Sequence, residues 1–494
     1  MPVGDFAHLC PMPITFTPFG AAGTVTGSKH LIEITRDGER PLRVLLDCGM
    51  FQGEAMGGEN SKDRNRRFGF DPASIDIVVL SHAHIDHSGL LPRLVKEGFA
   101  GPIWSTPATR ELCQIMLVDS AHIQEYDAAF DHKRARRHDK HEEPQGPLYR
   151  VDDVPPTMAR FRELALDTPT EIAPGVELTF TEAGHILGSA AVQLKIMQGA
   201  RTFRLAYTGD VGRYADRLLP YPAPFPQADA IICESTYGDR DHEPLEEAEE
   251  ALLTHVHQVC VEQQGRLIIP AFSVGRTQEV LYALNKLSNA GRLPRIPVFV
   301  DSPLAIDATD ISRRHAYLFR EEVQAELIDD PDLFSFAGVY FVHEAEHSKQ
   351  LNTRPGPFIV ISASGMMEAG RVRHHLFHGL ADKRNGVLVV GHCTPGTLGG
   401  QLLAGVGEVH IFGETIPVRA SIRRLAFYSA HADRNELLRY LSCQDLGATT
   451  IHLVHGDDPA REALRDLLLA KGARRVELPR FKEARRLRTP DPVE

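Results

Sequence analysis

The sequence predicts an α/β protein with strand-rich ends and an alternating middle. Three observations lead there. From Ile14 to about Glu234, short apolar strands recur between glycine-bearing turns. From about Gly238 to Ala426, helical patterns alternate with short buried strands, which is the pattern of a parallel-sheet unit. Near the C-terminus an apolar strand returns in Ile451-His-Leu-Val-His455.

Taken in order, the first strands are expected at Ile14–Thr17, Lys29–Ile34, Arg43–Leu46 and Ile75–Leu80. Four more follow at Val176–Thr181, Ala191–Ile196, Arg204–Tyr207 and Ala230–Cys233. Between Asp119 and Arg162 lies a charged stretch with His122, His132, His138, His141 and the basic run Lys133-Arg-Ala-Arg-Arg137. Charge runs usually mark exposed faces, so a solvated helical insertion is expected there rather than an arm that grips substrate. The middle contributes strands at Arg266–Pro270, Val298–Val300, Phe358–Ser362 and Val387–Val390. Two of them run into loops of small and hydroxyl residues, Ile361-Ser-Ala-Ser-Gly-Met-Met367 and His392-Cys-Thr-Pro-Gly-Thr-Leu-Gly-Gly400. Loops of this kind can present N–H and hydroxyl groups to a phosphate, although most such clusters are plain turns.

At 494 residues and 43% hydrophobic content the chain exceeds one ordinary domain and can bury substantial cores. Its seven cysteines are scattered and include no CxxC pair, which argues against a disulfide framework or a thiolate metal site and fits a reducing cytoplasm. No apolar run reaches the roughly 18 residues that span a bilayer, and Met1-Pro-Val-Gly-Asp5 lacks an export signal, so no membrane partner is expected. A net charge of -12 opposes a general electrostatic grip on nucleic acid, while leaving room for a local basic groove.

The densest chemistry lies in His82-Ala-His84-Ile-Asp86-His87, four metal-ligating side chains within six residues, directly after an apolar strand. Gly89 and Pro92 end the alternation, so these ligands fall on a strand-to-helix loop where they can converge. Imidazoles and a carboxylate at about 2.0–2.2 Å suit zinc. Histidines at i and i+2 can reach one ion from the same side, while Asp86 and His87 point elsewhere, which suggests two ions. Further loop-borne ligand types stand in Gly184-His185-Ile-Leu-Gly-Ser189, in Tyr207-Thr-Gly-Asp210, in Phe427-Tyr-Ser-Ala-His431-Ala-Asp433 and at His455.

This ordered series resembles the metallo-β-lactamase superfamily and, within it, the β-CASP nucleases. His82, His84, Asp86 and His87 match the signature motif, His185 the next histidine, Asp210 the bridging aspartate, and Asp47 in Leu45-Leu-Asp-Cys-Gly49 the buttressing aspartate. Gly20-Ala-Ala-Gly-Thr-Val-Thr-Gly-Ser28 is typical of the RNA-cleaving group. Glu234 in Glu-Ser-Thr-Tyr-Gly238, His431 and His455 match the three motifs specific to β-CASP proteins.

The resemblance implies an αββα sandwich with an inserted α/β β-CASP domain: residues 1–237 and 427–494 form the sandwich, 238–426 the insertion, and the active site lies between them. It implies two Zn2+, one held by His82, His84 and His185, the other by Asp86, His87 and His455, with Asp210 bridging. It makes His431 the proton donor to the leaving oxygen, oriented by Glu234, in hydrolysis of RNA that leaves a 5′-phosphate and a 3′-hydroxyl. RNA is favoured over DNA because the DNA-processing branch generally lacks a histidine where this chain has His455. Ser362, Ser364 and Gly365 match a loop that contacts RNA phosphates. Gly400 and Gln401 stand where relatives often carry arginine, and His392 and Cys393 also depart from the usual residues, which bears on substrate grip and not on the metal ligands. Homodimerisation is implied as well. The residues before Met12 leave no room for an RNA-reading KH module, and the longer C-terminal domain of some relatives is not expected. Two other enzyme classes share the superfamily, DNA-directed nucleases and small-molecule thioester or lactam hydrolases, as do silent scaffold subunits, which typically lose ligands that this chain keeps.

Overall fold

The computed structural model describes residues 13–36, 38–53, 61–137, 145–198, 201–242, 248–391, 393–394, 396–425 and 429–487. His138, His141, His392 and the expected boundary at Phe427 lie outside the described residues, as do the side chains of His132 and of Lys133 to Arg137.

Two seven-stranded sheets form the centre of the sandwich. The first runs in the spatial order 485–487, 14–18, 30–36, 39–46, 77–79, 103–105, 161–163, and the second in the order 475–477, 450–453, 230–233, 201–207, 190–198, 176–182, 170–173. Their inner faces interdigitate: Phe16, Ile32, Val44 and Val79 of one sheet share a core with Phe180, Leu194, Leu205 and Ile232 of the other. Because side chains alternate across a strand, Val78 and Leu80 point the opposite way. They pack with Leu112, Met116 and Leu117 of the 31-residue helix Pro107–Arg137. On the far side, Ala206 and Ile231 meet Leu437 and Leu441 of the helix Arg434–Leu441 and Leu464 and Leu468 of the helix Asp458–Ala470. Helix, sheet, sheet and helix thus stack in four layers.

A third sheet of six strands, in the order 339–341, 298–300, 358–362, 266–270, 386–389, 421–424, is parallel throughout. Such sheets are covered on both faces, which is why its central strands read as unbroken apolar runs. Helices Arg276–Asn289 and Pro303–Arg314 cover one face and Val372–Gly379 the other. The chain enters this unit after the strand Ala230–Cys233 and returns from it to place Thr450–Leu453 parallel and adjacent to that same strand. The excursion therefore begins and ends at one place in the second sheet.

The two parts also touch away from that crossing. Glu111 of the long helix accepts from Arg314 Nη2 at 2.7 Å and from His315 Nε2 at 3.0 Å. The charged stretch after Asp119 continues the long helix outward, with Tyr126 73% exposed, as expected for a solvated face. No helix among the described residues is long and apolar enough to cross a membrane.

Candidate metal centre

The strand Ile77–Val79 is buried along its whole length, and the chain leaves it at Leu80–Ser81 into a four-residue helix, Ile85–Ser88. His82 and His84 stand on the connecting loop, and Asp86 and His87 on the helix. The turn Asp47–Gly49 passes directly beneath. A Cβ on Gly49 would lie 1.6 Å from Asp86 O, so only glycine fits there.

Asp47 orients the tetrad from below. Its Oδ1 accepts from Ser81 N at 2.7 Å, and its Oδ2 from Ser81 Oγ at 2.7 Å, Tyr207 Oη at 2.6 Å and His87 Nδ1 at 2.6 Å. The bond from His87 Nδ1–H leaves Nε2 as the free donor atom. Ser81 gives its proton to Asp47 and so accepts from His82 Nδ1 at 3.0 Å. His185 Nδ1 donates to Ala430 O at 3.2 Å. Thr236 gives its proton to His455 O and accepts from His455 Nδ1, each at 3.1 Å. In all four rings the outward hydrogen bond sets the tautomer and turns the Nε2 lone pair inward.

The inward atoms form two groups. In the first, His84 Nδ1 lies 3.2 Å from both His82 Nε2 and His185 Nε2, and Asp210 Oδ2 lies 3.5 Å from those same two nitrogens. A tetrahedral ion with donors at about 2.0–2.1 Å sets neighbouring donor atoms about 3.3–3.4 Å apart, so this spacing fits. In the second, His87 Nε2 lies 3.2 Å from His455 Nε2 and 3.9 Å from Asp86 Oδ2, and His455 Nε2 lies 3.4 Å from Asp86 Oδ2. Asp210 Oδ1 faces this second group, 3.3 Å from His87 Nε2 and 3.4 Å from the His455 ring at Nδ1. Asp210 Oδ1 is buried without a hydrogen-bond partner among the described residues. A buried carboxylate oxygen left in that state is costly unless a cation meets it. One carboxylate thus presents one oxygen to each donor group.

The electrostatics suit cations. Burial holds the imidazoles of His82 and His185 well below their ordinary pKa and that of His84 down to about 4, which keeps them neutral donors. For His87 burial acts the same way, but the carboxylates of Asp210 and Asp86 outweigh it and raise the ring well above its usual value. Burial opposes the charge on Asp210 too, yet His455 and His87 hold its carboxyl well below the usual range.

His431 sits at the open rim, its side chain 20% exposed, with Nδ1 3.2 Å from Glu234 Oε1 and 3.8 Å from Asp210 Oδ2. Burial disfavours its charged form, but Glu234 and then Asp210 raise its pKa to about 9. Glu234 is itself fixed, Oε1 accepting from Val211 N at 2.6 Å and Oε2 from Thr236 N at 3.2 Å. His242 donates from Nε2 to His431 O at 3.1 Å and steadies the backbone there. Ser81, Tyr207, Thr236 and His242 were not singled out in the sequence, and only their adjacency to the motifs signals them.

The strands explain why distant residues converge. His185, Asp210, Glu234 and His455 all stand just beyond strands of the second sheet, at its edge facing the tetrad. His455 has φ +49°, and its N–H donates to Ala21 O at 2.7 Å, so the Gly20–Ser28 loop also buttresses it.

Comparison with known proteins completes the description. Residues 42–255 match the model of the metallo-β-lactamase superfamily, 277–402 that of the Beta-Casp domain, and 415–479 that of a Zn-dependent metallo-hydrolase RNA specificity domain. Ribonuclease TTHA0252 of Thermus thermophilus is 39% identical over 467 residues, 94% of this chain and 98% of that protein. The chain belongs to the β-CASP family of the metallo-β-lactamase superfamily. Transcription termination factors FttA of Methanosarcina mazei and Pyrococcus abyssi are 30% and 32% identical over 85% and 78% of this chain. The matches span 64% and 57% of those longer proteins. As a β-CASP protein the chain is a metal-dependent hydrolase, and its αββα sandwich with a β-CASP unit is the expected fold.

The loop of Ser362, Ser364 and Gly365 stands apart from the cluster: no hydrogen bond or ion pair joins it to the candidate ligands among the described residues. Ser362 Oγ donates to Asp301 O at 2.8 Å, whereas Ser364 Oγ is buried with no partner among the described residues. Cys393 Sγ donates to Gly365 O at 3.5 Å and Gly399 N to Met366 O at 3.2 Å, so the two small-residue loops pack as one unit. Gly400 N is capped by Thr397 Oγ1 at 3.1 Å, and Gln401 turns back to Gly396 O at 3.2 Å.

The Asp47 network carries a prediction. Asp47→Ala leaves the Ser81, Tyr207 and His87 donors unpaired in a dry core and frees the His87 ring to turn. Metal affinity is expected to fall by about 10–100-fold, as for the loss of other partners of ligand imidazoles. Competition against a chromogenic chelator measures it, and unchanged affinity would remove Asp47 from the site.

Proposed function

We propose that the protein is a two-zinc ribonuclease that hydrolyses RNA phosphodiester bonds to leave 5′-phosphate and 3′-hydroxyl ends. The observation that carries this reading is the second donor group: His455 closes a set with Asp86 and His87, opposite the one formed by His82, His84 and His185, and Asp210 faces both. The ribonuclease relative and the RNA-specificity match over residues 415–479 support RNA as substrate. When bound, a zinc pair supplies an acidified water and positive charge against the phosphate.

The chain's own groups do the rest. The oriented tautomers of His82, His87, His185 and His455 preorganise the donor atoms, so little rearrangement is needed on binding. Asp210 fixes the two halves of the site relative to each other. His431, held by Glu234 through Nδ1, has Nε2 left to give a proton to the departing 3′-oxygen. Glu234, bound to Val211 N and Thr236 N, keeps that ring from turning and favours its protonated form. Ser364, whose hydroxyl has no partner among the described residues, and the Gly365 backbone are assigned to substrate phosphate.

The same reading divides the chain at about 237 and 426, supported by the strands of 450–453, 475–477 and 485–487 joining the two sandwich sheets. It also places the protein in the cytoplasm, in keeping with buried free thiols at Cys48, Cys113, Cys233, Cys260 and Cys393.

The test is to incubate zinc-loaded protein with 5′-labelled and internally labelled RNA and with DNA of the same sequence, and to read product lengths and ends. RNA cleavage to 5′-phosphorylated products is expected. Discrete fragments mark endonuclease action and mononucleotides exonuclease action. Preferential cutting of DNA would overturn the substrate assignment.

A further inference from the structure

A groove of about 680 Å3 lies beside the helix Asp458–Ala470 of the sandwich. Its lining includes the loop Ala22–Thr24, which directly follows Ala21, the residue whose carbonyl holds His455 N at 2.7 Å. It also includes Phe481, 41% exposed. Arg64, Arg465 and Arg480 line it too, Arg465 sharing its guanidinium with Asp466 at 2.8 Å, with Asp458 and Glu462 as the acidic lining residues and Arg461 committed to Leu453 O, Pro479 O and, at 3.2 Å, Asp458. Arginines thus outnumber acids here, on a chain whose net charge is -12.

Phe481 is not a loose aromatic. Its turn is pinned by Lys482 N donating to Pro18 O at 2.8 Å, by Arg480 N donating to Glu483 Oε2 at 3.1 Å, and by Glu483 N donating to Arg480 O at 3.0 Å. Arg64 lies over the Phe51 ring at 3.8 Å and reaches the Phe481 ring at 5.4 Å. An exposed ring set among guanidinium groups, in a groove whose lining loop follows the residue that holds the His455 backbone, has the elements of a single-strand platform: a face for a base and cations for the phosphates.

We propose that this groove is a subsite for single-stranded RNA, with Phe481 stacking a base and Arg465 and Arg480 meeting the backbone. The assignment rests on the ribonuclease reading and extends it to the path of the strand outside the catalytic cleft.

The test compares Phe481→Ala, Arg480→Glu and Arg465→Glu with the parent enzyme on a long unstructured RNA and on bis(p-nitrophenyl) phosphate, a probe too small to span the groove. Each change is expected to raise KM for the RNA about tenfold while kcat stays within about twofold. In Arg480→Gln the slope of log affinity against log salt should become shallower by about 0.7. A KM for RNA equal to the parent's in all three variants would overturn the subsite while leaving the ribonuclease reading intact. An equal loss on both substrates, or a lowered unfolding temperature that accounts for it, would mark structural damage and also overturn it. A parent enzyme that does not cut RNA would refute the underlying reading, and the subsite with it.

Discussion

Asp210→Asn is expected to reduce RNA cleavage by at least about 10³-fold while leaving the fold largely intact. Asp210 faces both donor groups, with Oδ2 toward His82 and His185 and Oδ1 toward His87 and His455. The amide keeps the shape but removes the charge, and its NH₂ group points a donor where an acceptor is required. Metal analysis should show loss of at least one equivalent, and circular dichroism should be unchanged, since the sandwich core of Phe16, Val44, Phe180 and Leu205 lies elsewhere. His84→Ala should act as severely by opening the first group, because His84 Nδ1 makes the close approach to both His82 and His185. Full cleavage by either variant after chelation would end the two-metal account.

His431→Ala is expected to lower turnover by about 10²–10⁴-fold, with metal content retained and KM little changed. The rim position separates this residue from the ligands, since its Nδ1 is engaged by Glu234 and lies farther, at 3.8 Å, from Asp210. Asp210, Glu234, His431 and His455 are nevertheless close enough together to bind a cation, so the experiment decides between two roles. Loss of metal in step with activity would make His431 a ligand. Retained metal with lost turnover would make it the proton donor, and Glu234→Gln should then give a smaller loss of the same kind, because the ring keeps a hydrogen bond but not its charged partner.

Much of the fold was legible because most strands announce themselves. Ala230–Cys233, Arg266–Pro270, Val298–Val300 and Phe358–Ser362 lie where their apolar runs place them, being buried on both faces. Ile103–Ser105, Phe161–Glu163, Thr170–Ala173, Val339–Phe341 and Ser421–Arg424 were not expected. They are three or four residues long, mostly at or near sheet edges, and exist because a neighbour pairs with them rather than through a pattern of their own. Lys29 was expected to open a strand, yet it is a buried lysine just before His30–Arg36. Its ammonium donates to Gly27 O at 2.9 Å and Gly49 O at 2.6 Å, and burial lowers its pKa to about 7. Hydropathy reads lysine as surface and cannot register such a tie.

At the site, the residues that now converge all stood in recognisable motifs, and the chemistry of histidine and aspartate made them visible. Ring orientation was not visible. The partners that fix it are a serine, a threonine, a tyrosine and the carbonyls of Ala21 and Ala430, residue types that occur throughout the chain and gain meaning only by position.

The chain's return to the second sheet at Thr450–Leu453 also sets an order of events during synthesis. A ribosome that has made everything up to the end of the third sheet has released His82, His84, His185 and Asp210, but neither His431 nor His455. The nascent protein therefore carries the first donor group whole, while the second has Asp86 and His87 without His455. The second donor group closes only with the final segment, when the strand at 450–453 slots against Ala230–Cys233 and brings His455 to it.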